Sequence, residues 1–201
     1  MQILNETIET IHNRRSVREF TDQVISDDII TAVLNAANTA PSAHNQQSWR
    51  FLVVRGEKKQ QLADLIYSRS FDFPKPASVL LRMACRTITM SPVVVAVANT
   101  GELIRHGTEL FAIKADMAED FFRVMEIQSS SAAVENLILA AKSLGVDSVW
   151  LGIMVLMKDQ VLELLGEPQG EFMAIVPLGY AVRQSNGPRK RGLDATVKYL
   201  D

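Results

Sequence analysis

Cysteine is nearly absent from this chain of 201 residues: Cys85 stands alone, so no disulfide can form within it and no Cys/His pattern of metal-ligand spacing exists. Histidine is scarce as well. His12, His44 and His106 are scattered, and no metal site is expected. No apolar run approaches the roughly 18 residues that a bilayer-spanning helix needs; the longest, 93–98 and 173–182, are strand-sized. The first ten residues hold Glu6 and Glu9 and no apolar stretch of signal-peptide type, so a cytoplasmic protein without a membrane partner is expected. Neither GxxxxGKS/T nor a GxGxxG between strand and helix occurs, which excludes the P-loop and the dinucleotide fingerprint.

What is present is globular. Hydrophobic residues make up 47% and charged residues 22%, enough for a real core in one domain and too apolar for a disordered chain. The formal net charge of −2 conceals an uneven distribution. Arg14, Arg15 and Arg18 cluster near the start, and Arg183, Arg189, Lys190 and Arg191 near the end. Without those seven the charge falls to −9. A mildly acidic body with two short basic clusters points to one small anion site, provided that the clusters meet in space.

The apolar spacing predicts helices over 3–13, from Ser26 to about 40, over 58–68, 115–144 and 158–165. Ser26 is a good N-cap, with Asp27 and Asp28 in the first turn, and Gly145 a natural stop after the long helix. Strands are predicted at 49–54, 93–98, 149–153 and 172–181. Residues 71–91 carry no periodicity that places either element. Two adjacent helices at the start and one long central helix do not alternate as a doubly wound sheet would. An α+β fold in a single domain, 1–201, is expected, without repeats or linkers.

Two segments carry chemistry. In Arg14-Arg15-Ser16-Val17-Arg18, guanidinium forks and a hydroxyl at a helix end can surround a phosphate. In 40–49, Ala-Pro-Ser-Ala-His-Asn-Gln-Gln-Ser-Trp, amides and hydroxyls between a helix stop and a buried strand can read a ring with donors and acceptors. Taken singly, each can equally be a solvated turn or an ordinary polar loop.

Together, in this order, they resemble the start of the nitroreductase family of FMN-dependent oxidoreductases, whose usual form is Arg-Arg/His-Ser-x-Arg/Lys and then Pro-Ser-x-x-Asn-x-Gln-Pro-Trp. Residues 136–152, NLILAAKSLGVDSVWLG, are similar to the family's NLxLAAxxLGxxSxWxG, and Leu178-Gly179-Tyr180-Ala181 with the tail from Pro188 to Asp194 closes the match. Only 55–130 lack a counterpart. The resemblance implies helices packed around a central, mostly antiparallel sheet in a domain-swapped homodimer. FMN would sit at the subunit interface, and the tail, about 187–201, would reach the partner. It implies that Arg14, Ser16 and Arg18 contact FMN with Arg15 beside them, Arg14 and Ser16 toward the phosphate and Arg18 nearer the ribityl chain or the pyrimidine edge. Pro41, Ser42, Ala43 and Asn45 would line the ring and ribityl region, Leu151 and Gly152 would lie near flavin N5, and Arg189 and Arg191 would return to the phosphate. The Arg-Lys-Arg order leaves open whether Lys190 or Arg191 makes that second contact.

The implied activity is ping-pong transfer of a hydride from NADH or NADPH through flavin N5 to a small electrophile, a nitroaromatic, quinone or enone. The chemistry then belongs to the cofactor, and no catalytic side chain is assigned. The sequence departs from the family at Ser48, where proline is usual, at Leu151-Gly152-Ile153, where some relatives carry Glu-Gly, and at Gly192, a frequent proline. No polar residue in 71–91 matches the group that often meets the far edge of the flavin. His44 reads as a solvent-facing loop residue or a ligand contact. Trp150, Phe111, Phe121, Phe122 and the methionines read as core, and Cys85 as a small apolar residue. Two other readings remain. One is a flavin carrier or sensor without turnover. The other is a basic-patch protein binding nucleic acid, against which 6% aromatics and a pI near 6.0 count.

Overall fold

The computed structural model describes residues 4–111, 114–184 and 186–200. Among the described residues seven helices surround one four-stranded sheet: α1 (Glu6–Asn13), α2 (Asp27–Asn38), α3 (Gly56–Arg69), α4 (Lys75–Met90), α5 (Glu102–Phe111), α6 (Ala115–Ser143) and α7 (Lys158–Leu165), with β1 (Trp49–Val54), β2 (Val93–Asn99), β3 (Asp147–Ser148) and β4 (Glu171–Gly179). The strand order is β1-β2-β4-β3 and every pairing is antiparallel. This is the expected α+β architecture.

The run VVVAVA in β2 is continuous because both of its faces are covered. Val93, Val95 and Val97 pack with Val33, Val134 and Leu137 of α2 and α6. Val94, Ala96 and Ala98 pack with Leu62, Leu81 and Val161 of α3, α4 and α7. In β4, Phe172 pairs with Ala98 and Ala174 with Val97, so one extra residue, Met173, lies between two ladder positions. That bulge sends Phe172 and Ala174 to opposite faces despite their even spacing.

Local chemistry sets the helix ends. The Ser26 hydroxyl accepts from the Ile29 N–H, and the Asn5 side chain likewise receives the Ile8 N–H. Gly145, at φ +78°, follows the last turn of α6 as expected. Ile3, included in the expected first helix, lies outside the described residues.

One local expectation changes, and two helices appear where the sequence placed no element. Residues 71–91 are mostly helix: α4 buries Ser78, Leu81, Ala84, Thr87 and Ile88. The hydroxyls within that stripe hide its period in the sequence. Helix α5 has Gly107 in its middle, a residue that argues against helix. A Cβ there would stand 2.5 Å from the Phe122 ring of α6, so the glycine is what lets α5 lie so close. The strand expected at 149–153 is only the pair Asp147–Ser148 plus a bridge from Leu151 to Ile175. Val149 and Leu151 still alternate inward, so Trp150 points out and is 36% exposed rather than core.

Gly179 closes β4 against the buried Phe20 ring, 2.7–2.9 Å from where its Cβ would stand. Gly179→Ala should cost about 1–3 kcal/mol and lower Tm by roughly 2–4 °C per kcal/mol, read by thermal unfolding. A second expectation concerns Glu126, almost fully buried on α6. Burial pushes its carboxyl above the ordinary range, although the Leu103 N–H and the Ser48 hydroxyl bond to it and pull the other way. The folded chain thus favours the neutral form. That contribution to stability is complete below the ordinary carboxylate pKa and is lost as pH rises through the raised one. Glu126→Gln, neutral at every pH, should flatten the decline of Tm on the alkaline side; an unchanged pH–Tm curve would remove Glu126 as its source.

Candidate cofactor-binding cleft

Arg14 ends α1, and from it the chain runs extended along the edge of β3. Ser16 bridges Ser148 in parallel and the Val17 N–H donates to the Ser148 carbonyl at 3.0 Å. Farther on, Phe20 bridges Ala181, the Thr21 N–H bonds to the Tyr180 carbonyl, and the Val182 N–H to the Glu19 carbonyl. Val17 and Phe20 are buried and fasten the segment. The side chains of Arg14, Ser16 and Arg18 on the same segment line two adjoining clefts.

The larger, about 700 Å³, is lined by His12, Arg14, Arg15, Ser16, Arg18 and Glu135, and by Gly187, Pro188 and Lys190 of the tail. The basic clusters at the two ends of the chain therefore do meet. Arg15 is the joint: its guanidinium donates to the Asn186 carbonyl at 2.8 Å and to the carbonyls of His12 and Arg14. Gly187, at φ +68°, lets the tail pass, since a Cβ there would stand 2.8 Å from Arg15 Cδ. Among the described residues no carboxylate pairs with Arg14 or Arg18. Two unpaired guanidiniums, a hydroxyl and an ammonium in one cleft are a donor set for a phosphate dianion.

The second cleft, about 570 Å³, shares Ser16 and Arg18 and adds Met83, Arg86 and Thr87 of α4 with Arg183 and Gln184. Glu19 stands between Arg86 and Arg183, 3.6 Å from each. Sequence reasoning missed Arg86 because α4 was not placed. Once the helix is known, the i, i+3, i+4 spacing of 83, 86 and 87 puts them on one face. Met83, read as core, is exposed and lines this cleft.

The other expected residues lie elsewhere. None of Pro41, Ser42, Ala43 and Asn45 lines either cleft. They belong to a loop with three non-glycine residues in the left-handed region, His44 at φ +53°, Asn45 at +52° and Gln47 at +52°. Strain of this kind is of order 1–3 kcal/mol per residue and collects at functional sites. The loop is pinned: the Ala43 N–H donates to Ser129 Oγ at 3.1 Å, and the Gln47 N–H to Ser42 Oγ at 3.1 Å. His44 is exposed but lies against Phe111, ring centroids 5.3 Å apart. Phe111 and Phe121 are exposed as well, and only Phe122 is core.

The Leu151 N–H is committed to the Ile175 carbonyl at 2.8 Å, whereas Gly152 is exposed with open space where a Cβ would stand. In the tail Lys190 lines the larger cleft; Arg189 and Arg191 are exposed outside it. Cys85 donates to the Ala63 carbonyl, and burial pushes its thiol up, so it is no reactive thiolate. No group of three or more His, Cys, Asp or Glu that could hold a metal ion occurs among the described residues. No helix among them is long and apolar enough to cross a membrane.

Comparison with known proteins agrees with this geometry. The model of the nitroreductase family matches residues 11–180. A protein of Archaeoglobus fulgidus named "Putative NADH dehydrogenase/NAD(P)H nitroreductase" is 32% identical over 181 residues, 88% of this chain and 86% of that one. The NADPH-flavin oxidoreductase of Vibrio harveyi is 28% identical over 169 residues, 83% and 61% of the two chains. Among solved structures, a nitroreductase with bound FMN from Desulfitobacterium hafniense superposes with TM-score 0.75 at 22% identity, over 99% of this chain and all of that one. With its first basic cluster, its polar loop and its sheet all inside the matched span, the chain belongs to the nitroreductase family.

Proposed function

We propose that the protein is an FMN-dependent NAD(P)H oxidoreductase that reduces a small electrophile, a nitroaromatic, quinone or enone, in alternating half-reactions. The observation that carries this reading is the pair of unpaired guanidiniums, Arg14 and Arg18, flanking Ser16 in a cleft closed by Lys190. Bound FMN supplies a hydride-accepting and hydride-donating centre at N5. Among the similar proteins, an FMN reductase (NADPH) of Bacillus subtilis and the Vibrio harveyi flavin oxidoreductase carry that chemistry in their names.

The chain's own residues divide the binding. Arg14, Ser16 and Lys190 hold the phosphate, joined by Arg189 or Arg191 when the tail closes, and Arg15 holds the arm to the tail. Arg18 and Arg86 bring positive charge to the pyrimidine edge, favouring an anionic reduced flavin. The N–H of Gly152 is free to face the ring where that of Leu151 is committed. No side chain is assigned as acid or base. The loop of Pro41, Ser42, Ala43 and Asn45 lines the ring of a second copy's cofactor, in a homodimer. In support, the tail displays Leu193, Tyr199 and Leu200 to solvent at 75%, 85% and 81% exposure, more apolar surface than a short tail otherwise carries. Residues 1–201 form one domain around one sheet, in a protein that works in the cytoplasm.

The visible spectrum of the purified protein, followed by anaerobic addition of NADH and NADPH in turn, tests the reading. A yellow protein that bleaches supports it and names the donor. Yellow without bleaching supports a flavin carrier, and a colourless protein that takes up no added FMN overturns it. Arg18→Ala should weaken FMN binding roughly ten- to hundredfold and lower the flavin's reduction potential, read by fluorescence and spectroelectrochemical titration. Unchanged values of both would remove Arg18 from the site.

A further inference from the structure

Among the described residues the buried side-chain atoms without a partner number four, and all fall in one corner: Asn99 Nδ2 and Oδ1, Thr100 Oγ1 and Glu126 Oε2. There β2 ends, β1 begins and the first turn of α5 lies on α6. The odd positions of β2 face α6. Asn99 extends that face by one step, and Glu126 lies about two turns before Val134 on the same helix.

Glu126 is the centre of the corner. Its Oε1 receives the Leu103 N–H at 2.8 Å. The same N–H reaches Ser48 Oγ at 3.2 Å, so Ser48 and Glu126 share one donor. The Thr100 N–H donates to the Ser48 carbonyl at 3.1 Å. Ser48 is the last residue of the strained loop. One helical turn from Glu126, Ser129 Oγ receives the N–H of Ala43 near the loop's other end, while its own hydroxyl donates to the Met125 carbonyl. Helix α5, held at its first turn by Glu126, reaches back with Phe111 against His44.

We propose that Glu126 and Ser129 are positioning residues for the cofactor: from one face of α6 they hold the two ends of the 41–48 loop in the left-handed conformation with which it meets the flavin. Neither touches the cofactor; both act through the loop. The argument is one of geometry. Three non-glycine residues at positive φ relax toward ordinary conformations unless something over-determines them. Besides the loop's own Ser42 hydroxyl, the groups outside the loop that do so here are a buried hydroxyl and a buried carboxyl spaced i, i+3. The Leu103 N–H that Glu126 receives is shared with Ser48, which ties the carboxyl to the end of the loop. This inference rests on the reading that the loop lines FMN.

The test is FMN affinity of the full-length apoprotein, by fluorescence titration well below Tm, with amide hydrogen exchange over 41–48. Ser129→Ala should weaken FMN binding roughly three- to tenfold, and Glu126→Leu more, both with faster exchange in the loop. Glu126→Gln, which keeps an acceptor for the Leu103 N–H, should restore near-native affinity. If wild type binds FMN and Ser129→Ala binds it equally tightly with unchanged exchange, the inference fails while the functional reading stands. Affinity kept in spite of a lowered Tm likewise reduces these residues to a structural role. If wild type itself takes up no FMN, it is the functional reading that falls. Should Glu126→Leu not fold, Ser129→Ala and Glu126→Gln still decide.

Discussion

The polar loop and the Arg14–Arg18 segment both depend on the packing of one long helix, α6, against the sheet and α2. Its small-residue face, with Ala133 and Ala141 fully buried beside Leu137, allows a helix of 29 residues, about 43 Å at 1.5 Å per residue, to lie close on its neighbours. Its first half carries Glu126 and Ser129 beneath the polar loop. Its middle packs Ala133 with Ala40 and Trp49, and places Glu135 in the larger cleft. Its last turn holds Asp147 of β3 through Lys142 at 2.9 Å. That ion pair matters because Asp147 is buried and a lone charge there would be strongly destabilising. It fixes the short strand on whose edge the Arg14–Arg18 segment is laid.

The electrostatics follow from this placement. An acidic body could neutralise its arginines locally, and it does so elsewhere, with Arg55 on Asp27 and Arg50 on Glu167. Arg14 and Arg18 make no ion pair among the described residues although Glu135 lines the same cleft, and the tail brings Lys190 toward them. Gathering three arginines and a lysine around a single carboxylate is unfavourable by itself, and a bound anion would offset it. Arg15 illustrates a different use of the same side chain. With backbone carbonyls as its partners, it joins the two ends of the chain.

The sequence was legible where one physical rule dominates. The apolar run of β2, the cap at Ser26, the glycine stop at 145 and the spacing of α6 each state a single preference, and each element is found. It was opaque where two rules conflict. Helix α4 buries hydroxyls, so its stripe does not read as apolar. Helix α5 contains Gly107, whose intrinsic preference is overridden by close packing on Phe122. The pair Asp147–Ser148 is too short to show a period. The site followed the same division. Arg14, Ser16 and Arg18 lie in an unbroken motif and do share a cleft, whereas Arg86 comes from the helix that could not be placed. Glu126 was hidden for another reason, since nothing in a sequence distinguishes a buried carboxylate from a solvated one.

The fold also gives a physical form to the proposed division of the site between two copies. On α6, Ser129 beneath the polar loop and Glu135 in the larger cleft lie six residues apart, about 9 Å along the axis, yet the loop and the basic clefts share no lining residue. A single chain thus maintains two unfavourable features at separate places: a strained loop and an unneutralised basic cleft. Neither relieves the other within the chain. A cofactor with an anionic tail and a polar ring, held between two copies, would meet the cleft with its phosphate and the loop with its ring. Each copy's strain and charge would then be compensated in the same assembly. The proposed dimer would make two half-built surfaces into one binding site.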